Sequence, residues 1–110
     1  MINVWKPITG PVKRSPLAVC DASSMQQAGF METDLLYPDR SGEIYSVSPR
    51  PEHRWLYVSD MEPTEAMLLK CYDSDESGVA RFTAHSSFEV PDSDDAPSRE
   101  SIEVRTLVFY

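Results

Sequence analysis

A chain of 110 residues with 18 Asp plus Glu against 10 Lys plus Arg, formally −8 at pH 7, has room for one domain, residues 1–110, and one core. Its positive residues are scattered (Lys13-Arg14, Arg40, Arg50, Arg54, Arg81, Arg99, Arg105) and form no basic stripe, which excludes nucleic acid and anionic membrane as expected partners. No apolar run approaches the ~20 residues of a membrane span, and MINVWKPITG lacks the charged-then-apolar profile of a signal peptide, so the expectation is a soluble, cytoplasmic protein.

In chain order the apolar runs are INVW before Lys6-Pro7, LAVC after Ser15-Pro16, DLLY before Pro38, EIYSV after Gly42, RWLYV, AMLLKCY, VARFTA after Gly78, and SIEVRTLVFY. Each is short and bounded by proline, glycine or polar turn residues, and there are nine prolines in all. That punctuation predicts an all-β chain, a sandwich or barrel of strands too short to be helices. The segment PTEAMLLKC is ambiguous by pattern, since Thr64 could cap a helix from Glu65. Its shortness, and the loop DSDESG that follows at once, favour a strand.

The acidic stretches DSDESG and PDSDDAP lack the alternating oxygens, the turn glycine and the terminal glutamate of a calcium loop, and no helices flank them. They read as solvated hairpin tips. The four glycines form no G-x-G, so no phosphate-cradling loop is present, and there is no G-x-S-x-G nucleophile turn. Cys20 and Cys71 belong to no C-x-x-C pair and read as two small buried thiols rather than a disulfide, a metal pair or a nucleophile.

The histidines remain. His53, between a proline-rich loop and RWLYV, reads as a strand-end residue. His85 stands fourteen positions before Arg99, and Arg99 is followed after one residue by Ser101. Residues i and i+2 of a strand share a face, so Arg99 and Ser101 would project together, and a guanidinium with a neighbouring hydroxyl can clamp a carboxylate. If a strand over 79–85 pairs antiparallel with one over 99–110, His85 ends one strand where that face begins the next. A ferrous iron held by two histidines and one carboxylate keeps three positions open, enough for a keto acid and dioxygen. The alternative is that Arg99 caps a loop, Ser101 starts a strand and His85 is a core histidine.

The stretches INVWKPITGPVKRSPLAVCDASS, DLLYPDRSGEIYSVSPRPEHRWLYVSDMEPTEAMLLKCYDSDESGVARFTAHSSF and DAPSRESIEVRTLVF resemble the carboxy-terminal part of the hydroxylase/desaturase family of secondary metabolism, over essentially the whole chain. The resemblance implies a partial double-stranded β-helix, the jelly-roll or cupin-like fold of Fe(II)/2-oxoglutarate oxygenases, with Fe(II) and 2-oxoglutarate as cofactors and a small-molecule substrate. It implies that His85 is the distal iron-binding histidine and that Arg99 and Ser101 anchor the far carboxylate of 2-oxoglutarate. Arg105 is the less suitable anchor, about 20 Å farther along an extended strand. Ile102, Val104 and Val108 are expected to face the core, opposite Ser101 and Arg105, and Trp5 and Trp55 to pack in strands.

The sequence departs from the family in one respect: it contains no H-x-D or H-x-E, the motif that supplies the other two iron ligands. One histidine does not hold a ferrous iron usefully. The expectation is therefore an oxidoreductase that is truncated or needs a complementing N-terminal half. The alternative is a non-catalytic remnant acting as a small ligand-binding or interaction domain.

Overall fold

The computed structural model describes residues 1–78 and 80–110. Among these described residues there are eight strands: β1 (Ile2–Pro7), β2 (Leu17–Cys20), β3 (Phe30–Leu36), β4 (Ser41–Val47), β5 (Trp55–Tyr57), β6 (Met67–Lys70), β7 (His85–Ser87) and β8 (Ser101–Thr106). The only helical pieces among the described residues are two single 3-10 turns, Ala22–Ser24 and Gln27–Gly29. The all-β expectation holds, and the ambiguous segment is a strand over Met67–Lys70.

The strands form two three-stranded sheets, β6-β1-β8 and β5-β2-β7, and a separate hairpin, β3-β4, all antiparallel. The hairpin turns through Tyr37-Pro38-Asp39-Arg40, closed by Tyr37 N donating to Arg40 O at 2.9 Å. Proline sits at the second turn position because its fixed φ already matches that corner. The Arg40 guanidinium lies 4.6 Å from the Tyr37 ring centroid and braces the same turn.

The two three-stranded sheets face each other across a core of Trp5, Leu17 and Leu69, closed at the loops by Val12 and Met61, with Val19, Met67 and Cys71 packed against it. β1 shows why INVWKP makes this strand: exposure alternates along it, and Asn3, Trp5 and Pro7 are the buried set. LAVC is different, being apolar at every position and buried at three of four, as suits a central strand covered on both faces.

Three expectations are corrected. VARFTA forms no strand at residues 80–84; Val79 lies outside the described residues, and the strand begins only at His85. β7 does not pair with β8. It pairs with β2 (Val19 opposite His85, Leu17 opposite Ser87), and β8 pairs with β1, so His85 and Ser101 belong to different sheets. The faces of β8 are also reversed. Directly opposed residues share a face, and Ser101, Glu103 and Arg105 lie opposite the buried Pro7, Trp5 and Asn3. Ile102 and Val104 point outward, 51% and 53% exposed, beside Val4 and Leu68; Val108 lies past the end of β8. The face of this strand that it shares with Trp5 is polar, with Glu103 and Arg105 themselves exposed.

Candidate functional site

The site follows from that reversal. Leu17 and Val19 enter the core from β2, so their partners Ser87 and His85 share the inner face of their sheet. Ser101, Glu103 and Arg105 occupy the inner face of the other sheet. His85 and Ser101 thus stand in different sheets, each on the face that carries core residues of its sheet, rather than side by side on neighbouring strands.

His85 is exposed at the first position of its strand. The approach to it is held by two hydrogen bonds to one residue: Cys20 N donates to Ala84 O at 2.8 Å, and Thr83 Oγ1 donates to Cys20 O at 2.5 Å. Just upstream, Phe82 stacks on Tyr45 (centroids 5.7 Å apart, planes at 10°) and meets Phe30 edge-on at 5.1 Å. These contacts dock the β3-β4 hairpin against the segment that leads into His85.

Arg99 lies before β8, so the strand alternation that paired it with Ser101 does not apply to it. Its place is set otherwise. The guanidinium lies 5.4 Å from the Trp5 ring centroid, and Nη1 donates to Ser15 O at 2.6 Å. Ser15 sits at φ 49°, in the left-handed region that non-glycine residues rarely adopt, and its Oγ donates to Glu89 Oε1 at 2.9 Å. The Arg99 guanidinium therefore lies near a core tryptophan, beside the place where Ser101 begins β8 and Pro7 ends β1.

Sequence reasoning did not single out Asn3 or Glu103. Asn3 is 4% exposed, and its Nδ2 donates to Glu103 Oε1 at 2.5 Å. The available signal was a lone amide in the otherwise apolar run INVW. His53 is half-buried on the surface loop before β5 and joins nothing in the interior. Both cysteines are free; burial, followed by the Glu103 carboxylate, pushes the Cys71 thiol up from its ordinary pKa.

Among the described residues no three His, Cys, Asp or Glu side chains converge to hold a metal ion. His85 alone does not fit a ferrous ion, because the chelation that gives affinity needs three protein ligands.

Residues 1–109 match the family model described as oxidoreductase/YMDC permease-like domain. The chain belongs to that family. The domain is 40% identical over 121 residues to hydroxylase/desaturase efuI of Hormonema carpetanum, covering all of this chain and 40% of that protein. It is 43% identical over 114 residues to aspirochlorine biosynthesis protein N of Aspergillus oryzae, covering all of this chain and 48% of that one. The chain thus spans less than half the length of either relative. Among solved structures it is similar to the iron and alpha-ketoglutarate-dependent endoperoxidase NvfI, with a TM-score of 0.83 and 30% identity over 93% of this chain and 38% of that one. The domain therefore has part of the cupin-like β fold of that iron and alpha-ketoglutarate-dependent enzyme. Among its described residues no helix is long and apolar enough to cross a membrane.

Proposed function

We propose that this chain, acting as one unit over residues 1–110, forms one part of an Fe(II)/2-oxoglutarate-dependent hydroxylase/desaturase that oxidises a small molecule. In this reading His85 is one iron ligand, and Arg99 with Ser101 holds the far carboxylate of 2-oxoglutarate. The reading is supported by the strand register, which puts His85 on the Leu17 and Val19 face of one sheet and Ser101 on the Trp5 and Pro7 face of the other, with the Arg99 guanidinium near Trp5, in a domain similar to a named iron and alpha-ketoglutarate-dependent enzyme.

The residues of this chain would bind and orient; they do not complete the metal site. The cation–π contact with Trp5 and the bond to Ser15 O would hold the guanidinium of Arg99 in place before a carboxylate arrives, which lowers the ordering cost of binding it. Bound iron supplies the oxidising chemistry, and its remaining ligands would come from polypeptide beyond these residues. The outer edges of β7 and β8 support such a complement, since each ends its sheet with one side unpaired among the described residues. Two free thiols suit a reducing compartment, and the cytoplasm is the proposed place of action.

The test is anaerobic titration with Fe(II) and 2-oxoglutarate, read by the visible charge-transfer band of the chelate. No band is expected from the chain alone, and one is expected once a polypeptide supplying the rest of the family length is added. In that assembly Arg99→Ala should raise the 2-oxoglutarate requirement by about 10- to 100-fold, the loss expected for charge-assisted hydrogen bonds. A band from the isolated chain overturns the incompleteness; an unchanged requirement in Arg99→Ala overturns the anchor, and a rise in Arg105→Ala alone moves it to Arg105.

A second reading, a non-catalytic domain that binds a small ligand, is favoured by one observation: His85 stands without converging ligands among the described residues. Failure of the reconstituted assembly to chelate iron while the chain still binds 2-oxoglutarate selects it.

A further inference from the structure

The residue that holds Arg99 is itself held. Arg99 Nη1 donates to Ser15 O at 2.6 Å, and Ser15 Oγ donates in turn to Glu89 Oε1 at 2.9 Å. Ser15 has φ 49°, and Pro16 follows it. A residue before proline is disfavoured in the right-handed helical region, so extended and left-handed backbone are the alternatives open to Ser15. The left-handed one is costly for a residue with a Cβ and persists only where the surroundings enforce it. A hydrogen bond from its own hydroxyl to an ionised carboxylate, one of the stronger kinds, supplies that enforcement.

The two bonds join three places that the strand ladders leave separate. Glu89 lies two residues past β7, the strand that begins with His85, Ser15 two residues before β2, and Arg99 two residues before β8 in the other sheet. Turning φ of Ser15 to an extended value would carry its carbonyl away from Arg99 Nη1. Among the described residues no ion pair joins Glu89 to Arg99, and Arg99 makes none with any other carboxylate. Its charge is thus left for a ligand, while its orientation depends on Ser15.

We infer that Glu89 is a positioning residue for the carboxylate anchor: by accepting from Ser15 Oγ it keeps Ser15 left-handed, and Ser15 O then fixes the Arg99 guanidinium near Trp5. The effect passes through the Ser15 hydroxyl and backbone, not through the charge of Glu89. As a statement about 2-oxoglutarate this rests on the reading of Arg99 as the anchor of its far carboxylate; as a statement about Arg99 it does not.

The experiment is 15N NMR on the full 110-residue chain, reading how fast the Arg99 guanidinium rotates about its Nε–Cζ bond. Glu89 is exposed, so Glu89→Ala should leave the backbone spectrum native. It should speed the rotation about 2- to 10-fold, the factor for one lost hydrogen bond. Glu89→Gln keeps an acceptor oxygen without the charge and should recover most of the native rate. In a Ser15→Gly background the hydroxyl is gone and glycine adopts positive φ unaided, so Glu89→Ala should add nothing. An unchanged rate in Glu89→Ala overturns the inference. So does an equal acceleration in the Ser15→Gly background, or no recovery in Glu89→Gln, since the charge would then act directly. In the assembly used for the iron titration, Glu89→Ala should raise the 2-oxoglutarate requirement by a similar factor and leave the band at saturation intact. An unchanged requirement there, where Arg99→Ala raises it, overturns the link to the anchor. The rotation rate needs neither iron nor cosubstrate, so its failure leaves the anchor standing, and a failed Arg99→Ala test leaves the rotation result standing.

Discussion

The Arg99 guanidinium lies over the ring of Trp5, 5.4 Å from its centroid, so the proposed carboxylate anchor and the centre of the core are one contact. Trp5 is 5% exposed and belongs to the cluster that joins the two sheets. Trp5→Ala should cost about 3–5 kcal/mol, as for other buried tryptophans. In a domain with only about 5–15 kcal/mol of stability that loss is severe. Urea denaturation is the measurement, and Trp5→Phe should recover most of the loss.

Gly10 and Gly29 predict opposite outcomes for the same substitution. A Cβ at Gly10 would lie 2.6 Å from Pro63 Cδ and 3.2 Å from Met61 O, whereas one at Gly29 meets nothing within 4 Å. Gly10→Ala should destabilise by about 1–3 kcal/mol through overpacking against proline and backbone, neither of which can swing aside. Gly29→Ala should be neutral or slightly stabilising. Paired thermal melts check the contrast.

The Thr83 hydroxyl bond to Cys20 O holds the segment that leads into His85. Thr83→Val keeps the shape and removes the donor, at an expected cost of about 1 kcal/mol. Because Cys20 N donates to Ala84 O on the same segment, the Cys20 amide should exchange its hydrogen faster in the variant. An unchanged exchange rate would show that the backbone bond alone holds the approach.

Asp73 ties the carboxy-terminal tail to the loop after β6. Its carboxylate is held far below the usual carboxylate range by Lys70 foremost, then by the Tyr110 hydroxyl and the Asp75 amide. A carboxylate whose folded pKa is depressed contributes stability above its unfolded value of about 3.9, and that contribution is lost as pH falls through the folded pKa. Release of Tyr110 is therefore expected only on acidification below about pH 4. At the alkaline end the Tyr110 hydroxyl is itself raised by Asp73, so the bond should persist until pH rises through that raised value. NMR of the Tyr110 ring across pH reads both limits. Asp73→Asn should remove the acid transition, and added salt should weaken the exposed Lys70–Asp73 pair.

Much of the fold was legible in the sequence because strand residues alternate with a period of two and prolines punctuate the runs. LAVC is a strand from end to end, and INVW together with the following Lys6 and Pro7 is another. The family resemblance also held along nearly the whole chain. Partner choice was not legible. VARFTA has the composition of a strand, yet residues 80–84 serve as a connection: the Cys20 N–Ala84 O bond continues the β2–β7 register by one rung, and beyond it Cys20 O is taken by the Thr83 side chain.

By itself the sequence determined the class of fold, the residue types available for a carboxylate anchor, and the absence of H-x-D, because these depend on local pattern and identity. Only the tertiary structure decided that His85 and Ser101 stand in different sheets and that Ser101, Glu103 and Arg105, not Ile102 and Val104, share the face of Trp5. Alternation fixes which residues share a face, but which face is buried depends on what packs against it. Trp5 and Asn3 of β1 set that answer from a strand nearly a hundred residues away in sequence.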